Sequence, residues 1–163
     1  MRFHLIDRID GWEAGRSLRA AKFLTLGEEY LADHFPRFPV MPGVLMLQAA
    51  VEAAGWLWRA STDFRHPVVV LREVKTVKYG TFMQPGRRMD VSVELVSQAD
   101  DAAAFKGKAA DDAGRQTVSA QFTLRGYALA DRGPAGAAAD DRLRAYYKAR
   151  WAVLTGGLTR EAR

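Results

Sequence analysis

His34 is followed by Phe-Pro-Arg-Phe-Pro-Val-Met-Pro-Gly43 and then by the run Val44-Leu-Met-Leu-Gln48-Ala-Ala-Val-Glu52-Ala-Ala-Gly55. Pro36, Pro39 and Pro42 fix their own φ angles and restrict the residue before each, so the loop that carries the histidine is stiff. Gly43 admits close backbone approach, and a helix is expected from Val44 onward. The free N–H groups of a first helical turn, together with the helix dipole, favour negative charge. A thioester carbonyl oxygen becoming an enolate would be stabilised there, with the imidazole acting as base on the adjacent carbon. The other role open to His34 is structural, as a residue capping the loop. The helix carries an amide, Gln48, where such chemistry wants a carboxylate.

The elements that must hold this loop are legible as alternating and periodic runs. From Val44 to about Arg59 nearly every residue is apolar, which predicts a helix buried on all sides. Residues 2–8 read as a first strand and Ser17–Leu26 as a second, with Asp10-Gly11 and Ala14-Gly15 supplying turns between them. Gly27–Leu31 reads as a helical turn leading into the His34 loop. His66–Lys78, Arg88–Gln98, Ala103–Asp111 and Arg115–Tyr127 are extended in character, and their spacing predicts an antiparallel meander. The expected class is α+β: a five- to six-stranded antiparallel sheet curled around one long helix. Residues 1–127 would form this domain, 128–139 an Ala/Gly-rich linker, and 140–163 a C-terminal helix and tail. Leu143, Tyr146, Tyr147, Trp151 and Leu154 fall on one side of that helix and need a partner, for which the chain's own protomer or dimer is the first choice.

Composition narrows the function. The 163 residues suffice for one domain with a proper core, and the apolar and charged fractions are those of a globular protein. There is no cysteine, and the three histidines His4, His34 and His66 lack ligand spacing, so no metal site and no cofactor is expected. The net charge of +5 is not a nucleic-acid footprint. Residues 1–127 hold 17 Lys/Arg against 15 Asp/Glu, and the rest of the surplus sits in the tail. No signal peptide and no membrane-spanning run is visible, which predicts a cytoplasmic protein without a membrane span.

The segment His34-Phe-Pro-x-x-Pro-Val-Met-Pro-Gly43-Val-Leu resembles the active-site motif of the 3-hydroxyacyl-acyl-carrier-protein dehydratases of the FabZ and FabA type, which have the hot-dog fold. Leu5-Ile6-Asp7-Arg8 resembles that family's N-terminal "Leu-Val-Asp-Arg", and Phe82-Met83-Gln84-Pro85-Gly86 its "Pro-Val-x-Pro-Gly-Asp" turn. The resemblance covers roughly residues 3–127. It implies that His34 is the catalytic base, that the Gly43 N–H polarises the thioester carbonyl, and that Gln48 stands where the family has its catalytic Glu or Asp. It also implies at least a homodimer, each site taking its histidine and its acid from different protomers. The substrate would be an acyl thioester on acyl carrier protein or coenzyme A, within fatty-acid or related acyl metabolism.

Gln48 divides the functional expectation. Eliminating water from a 3-hydroxyacyl thioester needs a base at the carbon beside the carbonyl and an acid at the leaving hydroxide, and an amide only donates a hydrogen bond. A weak (3R)-hydroxyacyl-thioester dehydratase is the first reading; a non-catalytic acyl-thioester-binding subunit and a hot-dog thioesterase are the alternatives. Glu52, one turn on and on the same face, either returns the acid or is a structural partner of an arginine or of polar backbone. Phe35, Phe38, Met41, Pro42, Val44 and Leu45 are candidates for an acyl-binding wall, with plain core packing as the competing role. Arg72, Lys75, Lys78, Arg87 and Arg88 are candidates for docking an acidic carrier protein, against a solvated strand face.

Overall fold

The computed structural model describes residues 4–156. Six strands form one antiparallel sheet: β1 (Arg8–Glu13), β2 (Ser17–Phe23), β3 (Val68–Tyr79), β4 (Arg88–Gln98), β5 (Ala102–Asp111) and β6 (Gln116–Tyr127). Helix α1 (Gly43–Ser61) lies against β2 to β6, and helix α2 (Pro134–Thr155) follows the sheet. This is the hot-dog arrangement. In α1 the residues from Ala49 to Arg59 are buried, apart from a half-buried Glu52. The alanines keep the helix surface thin where strands cross it, and Gly107 of β5 meets the Ala50 side chain at a spacing that leaves little room for a Cβ.

Sheet order departs from the expected four-strand meander. The order is β1-β2-β4-β5-β6-β3, so only β4, β5 and β6 run as a meander and β3 sits at the far edge, paired to β6. The β3–β4 connection therefore crosses the end of the sheet. It passes the His34 loop, where the Met41 N–H donates to the Met83 carbonyl at 2.8 Å and the Phe82 and Phe38 rings meet edge to face at 6.0 Å. The crossover is what brings the second motif beside the first.

The N-terminal strand also differs. It spans Arg8–Glu13 rather than 2–8, and the expected Asp10-Gly11 turn is a bulge within it; the chain turns instead at Ala14–Arg16. Residues 2 and 3 of the expected strand and the tail from 157 to 163 lie outside the described residues. The expected linker is not one. Residues 129–132 form a 3-10 turn and α2 begins at Pro134, where proline at the first helical position and the following alanines favour helix. Asp140, almost fully buried, clamps the two pieces by accepting the Leu129 and Ala130 N–H groups, each at 2.9 Å.

The apolar side of α2 packs on its own chain. Trp151 meets Trp12 edge to face at 5.1 Å, Tyr147 meets Trp56 at 5.5 Å, and Tyr146 Oη lies 2.6 Å from His4 Nε2. Helix α2 thereby covers the C-terminal half of α1 and contacts His4. Among the described residues no helix is long and apolar enough to cross a membrane.

Candidate active site

A short 3-10 turn, Glu29–Leu31, leads into the His34 loop, and the His34 N–H donates to the Tyr30 carbonyl at 3.2 Å. Phe35 then adopts φ +50°, a left-handed conformation uncommon for an aromatic residue. The turn closes with the Phe38 N–H on the Phe35 carbonyl at 2.8 Å, and the His34 and Phe35 rings lie 4.5 Å apart. The imidazole is half-buried at the rim of the domain.

Helix α1 starts at Gly43 with Pro42 as its cap residue and no capping side chain. The Pro42 carbonyl takes the N–H groups of Leu45 and Met46, which leaves the first-turn donors directed out of the helix end. A Cβ at Gly43 would stand 3.1 Å from the Tyr79 ring, so β3 presses directly on the helix start. A larger residue at position 43 would have to displace that ring by a few tenths of an ångström.

Gln48 faces a cavity of about 140 Å³ that runs along one side of α1. Glu52, Gly55 and Arg59 continue the same helix face, Val69 and Leu124 line the sheet side, and His4 and Tyr147 complete the wall. The Gln48 amide makes no side-chain hydrogen bond among the described residues. His34 is not among the residues that line this cavity.

Glu52 is occupied elsewhere. Its Oε2 accepts the Leu5 N–H at 2.7 Å and the Ile6 N–H at 3.3 Å, while Oε1 accepts the Trp56 indole N–H at 3.3 Å and lies 3.7 Å from His4 Nδ1. Both oxygens serve as acceptors that fasten the N-terminal segment to α1. Glu52→Ala is therefore expected to lower unfolding stability by about 1–3 kcal/mol, because two backbone donors lose their partner. Chemical denaturation measures the loss, and Glu52→Gln should recover part of it.

The other expected site residues separate. Phe35, Phe38 and Val44 are 59, 50 and 67% exposed and, with Phe82, make an apolar surface around the loop. Met41 is buried in the core, and Pro42 and Leu45 are half-buried. None of these six lines the Gln48 cavity. The basic group is split as well. Arg72, Lys75 and Lys78 are exposed on edge strand β3, whereas Arg87 pairs with Asp111 and Asp112, and Arg88 with Asp90 at 2.8 Å, at β4 with β5 and β6 lying between. His4, Arg59 and Tyr147 were not foreseen as site residues. Only the helical spacing of Gln48, Glu52 and Arg59 could have flagged the arginine.

Comparison with known proteins is consistent with this geometry. The FabA-like domain model matches residues 1–120. The 3-hydroxyacyl-[acyl-carrier-protein] dehydratase FabZ of Janthinobacterium sp. is 30% identical over 134 residues, 80% of this chain and 85% of its own. The FabZ of Pectobacterium atrosepticum is 35% identical over 112 residues, 68% of this chain and 74% of its own. The dehydratase heterocomplex ApeI:P from Xenorhabdus doucetiae shares the fold, with a TM-score of 0.63 and 14% identity over 76% of this chain and 83% of its own. The chain belongs to the FabA-like family, with FabZ-type dehydratases as its relatives.

Proposed function

We propose that the chain is a homodimeric 3-hydroxyacyl-thioester dehydratase-type protein whose acid has been withdrawn. The observation that carries this reading is the helix end: an uncapped α1 N-terminus at Gly43 directly after the His34 loop, with Gln48 on the same helix facing a cavity. His34 removes the proton beside the thioester carbonyl, the carbonyl oxygen takes up charge against the Gly43 N–H, and the bond from the next carbon to its hydroxyl breaks. Gln48 donates a hydrogen bond to that hydroxyl but gives no proton. The proton for the departing hydroxide then comes from the imidazolium that the first step made. Turnover is slow for want of a second group.

The edge strand supports the dimer. β3 is twelve residues long, no strand pairs with its outer edge among the described residues, and Val70, Leu71, Val77 and Tyr79 are large apolar side chains left open. An edge of this length is an aggregation hazard unless another strand covers it. A second copy pairing there sets its own His34 loop against the exposed side of α1, so each site is completed by two chains. Arg72, Lys75 and Lys78, flanking that edge, are the docking residues for an acidic carrier protein; Arg87 and Arg88 are spent on their aspartates. Glu52 is a structural partner.

The test is to offer the purified protein 3-hydroxyacyl and plain acyl thioesters while following enoyl product and thiol release. Slow enoyl formation is expected. Binding without any product favours a non-catalytic acyl-thioester subunit, a reading that Gln48 itself supports. Thiol release without enoyl product identifies a thioesterase.

A further inference from the structure

Arg59 is not used by that reading. It lies two turns beyond Glu52 on α1, is 7% exposed, and holds its guanidinium carbon 4.0 Å from the Tyr147 ring centroid. Its Nε is buried without a hydrogen-bond partner, and among the described residues no carboxylate makes an ion pair with it. Burial pulls the guanidinium below its ordinary pKa, with Tyr147 and Glu52 acting in the opposite sense. An aromatic face offsets part of the cost of burying a cation, but a charge this deep calls for an anion.

The guanidinium points into the cavity. A Cβ on Gly55 would stand 3.1 Å from Arg59 Nη1, so the side chain folds back over a bare backbone position toward Gln48. From Gln48 to Gly55 is about 10 Å along the helix axis. Between them the walls are mixed: Val51, Val69 and Leu124 are apolar, whereas Glu52 and His4 are polar. The volume, about 140 Å³, equals roughly four or five waters and is small for a long fatty chain. It is a slot with the Gln48 amide at one end, the Arg59 cation at the other, and on the wall between them Glu52, whose carboxylate is already held by the Leu5 and Ile6 N–H groups.

We propose that this slot selects acyl thioesters whose distal end is a carboxylate, with Arg59 as the counter-ion and Tyr147 holding the guanidinium in place. The proposal rests on the reading of the cavity as the acyl pocket. A hydrocarbon terminus would leave Arg59 buried and unpaired, whereas a carboxylate presents two oxygens to its fork of donors.

Calorimetric titration of the full-length protein with adipyl-coenzyme A and hexanoyl-coenzyme A, which share one chain length, tests it. Adipyl-coenzyme A is expected to bind about tenfold more tightly, the effect of one charge-assisted hydrogen-bonded pair. Arg59→Met should bring the two ligands to equal affinity, and Arg59→Lys should keep part of the preference. Equal affinity in the native protein overturns the proposal while leaving the acyl-thioester reading intact. A preference that survives Arg59→Met also overturns it, and assigns Arg59 to packing or to the subunit interface. Binding of neither thioester overturns both readings.

Discussion

Gln48→Glu is expected to raise the rate of enoyl-thioester formation by about 10²–10⁴-fold, the usual worth of a positioned general acid. The gain follows from where the side chain stands. Gln48 faces the cavity and its amide is engaged by no other side chain among the described residues, so a carboxyl there is free to meet the substrate hydroxyl. Glu52, one turn further on the same face, is a like charge next to the new carboxyl. Partial burial and that neighbour both favour the protonated form, which is the form an acid needs. The like-charge spacing costs only a few tenths of a kcal/mol in helix stability, about 0.2–0.5. Following enoyl absorbance with a 3-hydroxyacyl thioester for the two proteins side by side gives the ratio. A ratio near one would show that acid supply is not what limits the native chain.

The second large effect is expected at His34. In the Gln48→Glu background, where the signal is strong, His34→Ala should lower enoyl formation by about 10²–10⁴-fold while thioester binding persists. The reason is a division of labour between two elements. In the proposed mechanism the uncapped N-terminus of α1 and the cavity along its side would bind the thioester without help from the imidazole, whereas only the imidazole would take the proton. Rate and affinity measured on the same sample separate these. A parallel loss of both would make His34 a loop-capping residue, the alternative its position near the Tyr30 carbonyl leaves open.

The sequence discloses this site unevenly, and the reasons are physical. The loop and the start of α1 are legible because prolines and a glycine act locally, each restricting its own backbone. Strand β4 is legible to the residue, since alternation and a Pro-Gly turn mark its ends. Sheet order was not, because pairing β3 with β6 rather than β4 depends on contacts remote in sequence. The stretch 128–139 misled because an Ala-Gly composition fits both a linker and a helix, and only the buried Asp140 clamp decides between them. Glu52 was ambiguous for a similar reason: its partners, the N–H groups of Leu5 and Ile6, lie more than forty residues away. Arg59 was invisible as a site residue, since a lone arginine near a helix end reads as solvated until α2 is laid over it. The basic residues Arg72 to Arg88 are neighbours in sequence but not in space.

The central claim is that each site is shared, with His34 from one protomer and the group at position 48 from its partner. It is tested by unfolding and refolding native protein together with the double variant His34→Ala/Gln48→Glu, each slow by itself. In a mixed dimer, the native His34 meets the variant glutamate at one of the two sites. Enoyl formation should then rise well above either parent, toward about a quarter of the Gln48→Glu homodimer rate for random pairing in a two-fold dimer. A mixture that runs at the simple average of its two parents would contradict the account.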